Sequence, residues 1–308
     1  MTDADLDSRV RVRAFDFLKE QTELHGGDVL PWKILVEGFE FEGRRVPLVG
    51  QQGIFKPAIL QEMPLSIRTA PEVDGEKRPY DDGIGPDHFL RYRYRGTDLM
   101  HRDNQGLRTA MQRSVPLVYL VGIIPGRYMA VWPVYIVRDN PNELAFSVAV
   151  DAPYMPVMSD IKLDPASLEA RRAYVTVETQ RRVHQQGFRE RVLRAYHDQC
   201  AVCRLRHEEL LEAAHIVRDR HPKGEPIVPN GLALCKLHHA AYDRNILGIT
   251  PDRIIKIRVD ILQESDGPML QHGLQGFQGG HIHIPRPRHL WPREDLLAER
   301  YEEFRRAS

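Results

Sequence analysis

The sequence has only three cysteines in 308 residues, Cys200, Cys203 and Cys235. An odd number, in a chain with no evident secretion signal, excludes a framework of disulfides. Long apolar runs are missing as well. The longest, residues 115–125, is too short to span a bilayer and is broken by Pro116 and Gly122. It reads as a buried strand. The acidic start Met1-Thr2-Asp3-Ala4-Asp5 leads into no apolar stretch, so no signal peptide is expected, no membrane partner, and a cytoplasmic location. Net charge is absent too, 43 Lys and Arg balancing 43 Asp and Glu, so the overall balance does not point to nucleic acid. There is no internal repeat and no low-complexity tract. With 42% apolar and 28% charged residues the chain has the make-up of a folded globular protein, long enough for two cores.

Charge is uneven along the chain. Residues 171–206 hold nine arginines against the three acids Glu178, Glu190 and Asp198. Such a stripe attracts a phosphate backbone whatever the total charge, although an isolated run of this kind is also what a solvated helix face looks like.

Periodicity divides the chain into regions. Leu6, Val10, Ala14, Phe17 and Leu18 recur at helical spacing and predict a helix over residues 5–24. Residues 32–150 change to short alternating runs. Phe39-Glu40-Phe41 and Val46-Pro47-Leu48 flank Gly43 as in a hairpin, and residues 89–94, 117–123, 129–137 and 144–150 are further strand candidates. That many short strands predicts a β-barrel-like domain. Asp164-Pro165-Ala166-Ser167 looks like a linker into a helix over 168–196, with a break expected at Gly187. Towards the end, 253–259 and 281–284 read as strands and 293–304 as a closing helix.

All three cysteines fall in one stretch: Cys200-Ala-Val-Cys203, then Glu212-Ala-Ala-His215, then Asn230-Gly-Leu-Ala-Leu-Cys235-Lys-Leu-His238-His239, and Asp243. A Cys-x-x-Cys knuckle places two thiolates on one side of a zinc ion, and Cys235 with His238 repeats the spacing from a second element. A Cys₃His set closes a tetrahedral structural site with no open position. The competing reading is three unrelated buried cysteines. The lone histidines His25, His88, His101, His184, His281 and His283 read as structural or exposed.

This stretch resembles the HNH (ββα-metal) nuclease family over about 45 residues, with three elements in matching order and spacing; His238 stands where the family has a cysteine. The resemblance implies a metal-dependent DNA endonuclease. His215 would be the general base, since an imidazole titrates near neutrality. Asn230 would brace the loop that orients His215. His239 would bind a catalytic divalent ion, Mg²⁺ or Mn²⁺, and the products would carry a 5′-phosphate and a 3′-hydroxyl. Asp243, four residues after His239, would share its helical face and grip the same ion, or else serve as a helix-end or salt-bridge residue. One position departs from the pattern. HNH proteins often have Asp or His before the base histidine, and here it is Ala214. Either Asp243 or Glu212 supplies the missing ligand, or His239, phosphate and water hold the ion alone, or the module is inactive and only binds DNA.

The β-rich region carries Pro79-Tyr80-Asp81-Asp82-Gly83, then Phe89, Tyr92 and Tyr94-Arg95-Gly96, then Asp103-Asn104 and Leu107, before the apolar strand. In this order the residues resemble the SRA (SET- and RING-associated) domain, a PUA-like barrel that flips modified cytosines out of duplex DNA. Tyr80 and Tyr94 would then stack on the flipped base, and Asp82 or Asp81 would accept from its exocyclic amine. Arg91, Arg93, Arg95, Arg102 and Arg108 would hold phosphates. The ordinary alternative is half-buried strand tyrosines beside an Asp-Asp-Gly turn.

The expected fold is α+β: an SRA-like (PUA-like) β-barrel domain with flanking helices over residues 1–165, a helical basic linker over 166–195, and a zinc-stapled HNH domain over 196–308. The expected function is a modification-dependent restriction endonuclease that flips 5-methylcytosine or 5-hydroxymethylcytosine in double-stranded DNA. Cutting both strands with one HNH centre per chain implies two chains at the site or sequential nicking, and a homodimer is expected. The alternatives are an HNH nuclease reading unmodified sequence, or a non-catalytic zinc-containing DNA-binding protein.

Overall fold

The computed structural model describes residues 3–71, 85, 87–151, 165–218 and 221–307, without the side chains of 3–5 and 165–168. The chain divides into two compact units, Met1–Val183 and His184–Ser308. Among the described residues no helix is long and apolar enough to cross a membrane.

The first unit starts with the expected helix, α1 (Asp3–Leu24), whose Val10, Ala14, Phe17 and Leu18 are buried along one stripe. β1 (Val29–Pro31) and the short α2 (Trp32–Glu37) follow. The hairpin comes next as β2 (Phe39–Phe41) and β3 (Arg44–Val46). Glu42 and Gly43 have φ of 49° and 73°, the pair of positive values that a two-residue type I′ turn requires. The second strand thus lies before the expected 46–48, because Pro47 has no N–H to give to the ladder.

A seven-stranded sheet forms the centre of this unit. Its strands are β4 (Ile54–Phe55), β5 (Ser66–Arg68), β6 (Leu90–Arg93), β7 (Leu117–Ile124), β8 (Arg127–Asn140) and β9 (Ala145–Val150), with β1 on β8. The order is β4-β5-β7-β8-β9-β6, and only β5 with β7 is parallel. β7 is buried throughout because both its faces are covered. Val118 and Leu120 face the core that holds α1, whereas Leu117, Tyr119, Val121 and Ile123 face a second core with α3 (Arg102–Gln112). Register shifts between β7 and β8, and between β8 and β9, bend the sheet. The expected barrel is therefore present as a half-barrel, open between β4 and β6 among the described residues. α3 was not foreseen from the sequence. His101 caps it by accepting from the Asp103 N–H at 3.2 Å, the structural role expected for a lone histidine.

α4 (Pro165–Ala195) runs through Gly187 without the expected break. A helix-interior glycine costs only about 1 kcal/mol relative to alanine, and the buried neighbours Val183, Phe188 and Val192 hold the helix. Much of the arginine stripe serves the fold rather than solvent. Arg171 and Arg172 pair with Asp151, Arg182 with Asp28, Arg189 with Glu190 and the carbonyls of Glu208 and Leu211, and Arg191 with the Pro226 carbonyl. Arg181, Arg194, Arg204 and Arg206 are exposed. Of the arginines expected to hold phosphates, Arg91 engages Ser147, Arg95 Asp103 and Arg108 Asp139, whereas Arg93 and Arg102 are exposed, Arg102 beside Asp103.

In the second unit β10 (Leu211–His215) and β11 (Gly231–Cys235) form an antiparallel pair that runs directly into α5 (Lys236–Asp243). β12 (Leu247–Ile249) and β13 (Ile255–Ile257) make a second pair. The helices α6 (Val259–Gln263), α7 (Pro268–Gly273) and α8 (Glu294–Arg306) complete it. Residues 281–284 give one bridge, Ile254 to His281, and not the expected strand. Their next N–H groups diverge, Ile282 to the Arg253 carbonyl and His283 to that of Ala201, so no ladder can extend.

Arg11 is the main buried charge of the first unit. Its guanidinium meets Asp7 at 2.5 Å and the carbonyls of Pro64 and Pro116 at 2.9 and 3.0 Å. Removing it leaves a half-buried carboxylate and two carbonyls without their donor. Arg11→Ala should destabilise this unit by about 3 kcal/mol in urea denaturation, with the zinc content of the chain unchanged.

Candidate metal centre

Cys200 and Cys203 lie on a tight turn after α4, where the Arg204 N–H bonds the Cys200 carbonyl at 2.9 Å and Arg204 takes φ of 61°. Cys235 ends β11 at the N-cap of α5, and His238 follows in the first turn. The four donor atoms all lie within 4.8 Å of one another, the only such group of three or more ligating side chains among the described residues. Cys203 Sγ is 3.9 Å from Cys235 Sγ, and His238 Nδ1 is 3.5 Å from Cys200 Sγ and 3.1 Å from Cys235 Sγ. A tetrahedral zinc with ordinary bond lengths would set sulfurs roughly 3.8 Å apart and sulfur to nitrogen roughly 3.5 Å. The donor set fits zinc.

The surroundings of His238 fix which nitrogen points inward. Its Nε2 donates to the Gly273 carbonyl at 2.8 Å, which leaves Nδ1 with its lone pair towards the sulfurs. Burial works against an imidazolium there, but the sulfurs of Cys200, Cys203 and Cys235 outweigh it and push its pKa up to about 12. A divalent cation satisfies the same concentration of negative donors.

The remaining residues of the motif sit on the same ββα scaffold. His215 ends β10 opposite Gly231, and its ring stacks on Phe188 with centroids 4.0 Å apart and planes at 17°. Asn230 is fully buried just before β11. Its Oδ1 accepts from the Val217 N–H at 2.9 Å, its Nδ2 donates to the carbonyls of Val217 and Glu225 at 3.0 Å each, and its carbonyl accepts from the Ile216 N–H. The chain leaving His215 is therefore pinned at two successive residues by one side chain and its backbone. On α5, His238 and His239 are separated by about 100° of helix rotation, so that one faces the sulfurs and the other faces β10. His239 Nδ1 lies 2.5 Å from Glu212 Oε2, and its Nε2 lies 3.4 Å from Asp243 Oδ2. Phe188 and Gly273 carried no sequence signal, because each touches its histidine across more than 25 residues of chain.

Positive charge collects beside the zinc turn. His283 is held below the ordinary histidine range by burial and then by the charges of Arg204, His197 and Arg206.

In the first unit a cavity of about 330 Å³ lies between the two open ends of the half-barrel. Gly53 and Ile54 line one side with Arg68, Thr69 and Ala70, and residues 92–96 line the other. Tyr94 is buried, its ring against Phe146 at 4.6 Å and its hydroxyl bonded to Asp139 and Arg108. Burial and the Asp139 bond raise its pKa against the lowering effect of Arg108, so the phenol stays protonated. Tyr92 also lines the cavity, with its hydroxyl donating to the Arg68 carbonyl at 3.4 Å. Tyr80, Asp81 and Asp82 lie outside the described residues.

Two outcomes follow for the second unit. The purified chain should hold one zinc per molecule; Cys235→Ala should lose it and the second unit's melting transition, whereas His238→Cys should keep the zinc. At Gly231 an added Cβ would collide with Val192 and lie 3.0 Å from the Phe188 ring. Gly231→Ala should thus push Phe188 off His215, cost about 1–3 kcal/mol, and abolish the ring-current shift of the His215 imidazole protons in NMR spectra.

Comparison with known proteins bears on the same segment. Residues 200–250 match the sequence model of the HNH endonuclease family. No curated protein matches the chain. Among solved structures, a modification-dependent TagI restriction endonuclease is similar at 16% identity, over 79% of this chain and 82% of that one, with a TM-score of 0.29. A TM-score so low carries no argument about fold or function. The family match is more informative: it begins at the first zinc donor, ends just past β12, and takes in His215, Asn230 and His239. The chain therefore carries an HNH domain over residues 200–250, the catalytic module of a metal-dependent DNA endonuclease.

Proposed function

We propose that this protein is a modification-dependent restriction endonuclease, in which the first unit takes up a flipped 5-methylcytosine or 5-hydroxymethylcytosine and the second hydrolyses a phosphodiester of the same DNA. The observation that carries the modified-base reading is the cavity between the ends of the half-barrel. At about 330 Å³ it is at the small end of the range of ligand pockets, a size for one heterocycle. Tyr92 and Tyr94 are among the residues that line it, and Ala70 in its wall stands ten residues before Tyr80 in the sequence. Unstacking a base costs a few kcal/mol, which tyrosine stacking offsets. Tyr80 supplies a second stacking surface, and Asp82 or Asp81 accepts from the exocyclic amine of cytosine, which thymine lacks.

In the second unit His215 withdraws a proton from the attacking water, its ring held by Phe188 and the following backbone held by Asn230. His239 and Asp243 hold a divalent ion such as Mg²⁺ or Mn²⁺. That ion, when bound, neutralises charge on the scissile phosphate and the leaving 3′ oxygen. The products carry a 5′-phosphate and a 3′-hydroxyl. The zinc bound by Cys200, Cys203, Cys235 and His238 is structural, because four protein donors leave no position for water. Exposed Arg181, Arg194, Arg204 and Arg206 are the phosphate contacts of this reading. Two chains at one site would cleave both strands together, which favours a homodimer over sequential nicking by one chain.

The test is digestion of matched plasmids, one with modified cytosine and one without, in Mg²⁺ and in Mn²⁺. Only the modified plasmid should be cut. His215→Ala should abolish cutting and keep DNA binding, whereas Tyr80→Ala and Asp82→Asn should weaken binding to modified DNA about tenfold or more. Equal cutting of both plasmids would mean a reader of unmodified sequence. No cutting of either by the zinc-loaded protein would mean a non-catalytic DNA-binding module.

A further inference from the structure

Position 214 is where the HNH pattern often places an acid or a histidine, and here Ala214 is fully buried in the core of the second unit. Residues two apart on a strand share a face. Glu212 therefore lies on the face of β10 that Ala214 occupies, one strand repeat away, and its carboxylate reaches His239 on α5. His239 thus has a carboxylate at each ring nitrogen, Glu212 at Nδ1 and Asp243 at Nε2.

The two distances separate the roles of these acids. Two atoms bound to one cation at about 2.1 Å each stand about 3.0–3.4 Å apart for angles of roughly 90–110°. The 3.4 Å between Nε2 and Asp243 Oδ2 fits that geometry. The 2.5 Å between Nδ1 and Glu212 Oε2 does not, since it would need an angle near 75°; so close an approach is a direct hydrogen bond, shorter even than the about 2.7–2.9 Å usual for a charge-assisted N–H to carboxylate pair. We propose that Glu212 is a positioning residue for the catalytic ion: it accepts the Nδ1–H of His239, fixes the ring, and directs the Nε2 lone pair to the divalent ion beside Asp243. This rests on the reading of the second unit as a metal-dependent nuclease. The two neighbouring histidines of α5 are then held in opposite senses. His238 presents Nδ1 to zinc while the Gly273 carbonyl fixes its Nε2–H; His239 presents Nε2 while Glu212 fixes its Nδ1–H.

The experiment is Mn²⁺ titration of the zinc-loaded full chain by calorimetry, with the His239 tautomer read from long-range ¹H–¹⁵N NMR correlations in the absence of Mn²⁺. The wild type should bind one Mn²⁺ and carry its His239 proton on Nδ1. Glu212→Ala should weaken Mn²⁺ binding about 10- to 100-fold and lose the tautomer preference, at unchanged zinc content and melting temperature. Glu212→Gln, whose amide oxygen still accepts from Nδ1–H, should keep the tautomer and recover much of the affinity. Wild-type affinity in Glu212→Ala, or a His239 proton on Nε2 in the wild type, would overturn the role of Glu212 alone. A wild-type chain that binds no Mn²⁺ would overturn the nuclease reading beneath it.

Discussion

The second unit brings three cysteine sulfurs and one imidazole close enough together to hold a single cation. These donors come from two places, a turn after α4 and the junction of β11 with α5. Structural zinc contributes about 10–16 kcal/mol in small modules, as much as the whole net stability of an ordinary domain. The β10–β11 pair has only five residues in each strand, too little to hold a hairpin by itself. Because Cys235 is at once a candidate zinc donor, the end of β11 and the N-cap of α5, a cation held there would fix the angle at which helix leaves strand. His239, one residue past the last donor, inherits its position from that angle.

The first unit answers a different constraint. Its sheet is covered on one face by α1 and on the other by α3, so β7 has no polar side. Among the described residues β4 and β6 do not pair, and the cavity lies at that gap. Some polar groups near it are engaged internally, Tyr94 by Asp139 and Arg108 and Arg95 by Asp103 and Gln52, whereas the buried Nε of Arg68 in the same wall has no hydrogen-bond partner.

Legibility in the sequence followed the range of the interactions. α1 and α8 were readable because their apolar stripes are local, and the zinc donors because Cys-x-x-Cys and Cys-x-x-His each act within one turn. The hairpin was placed but its second strand was shifted, since alternation in Val46-Pro47-Leu48 outweighed the missing proline donor. Gly187 was read as a break because its helix-holding neighbours are tertiary contacts. The arginine stripe was read as a free surface, yet the partners of Arg182 and Arg191 lie 154 and 35 residues away. Glu212 was one of two acids, with Asp243, weighed as the source of the ligand absent at 214. Which nitrogen of His239 it meets depends on how α5 lies on β10, and no local pattern encodes that.

The contact of His238 with Gly273 has a consequence for modularity. The family match stops at residue 250, and every zinc donor lies inside it, but the carbonyl that selects the metal-binding nitrogen is 23 residues further on. Grafting the matched segment alone onto another scaffold would carry the ligands and leave their orienting partner behind. The portable unit of this nuclease is larger than its signature, and reaches at least to the end of α7.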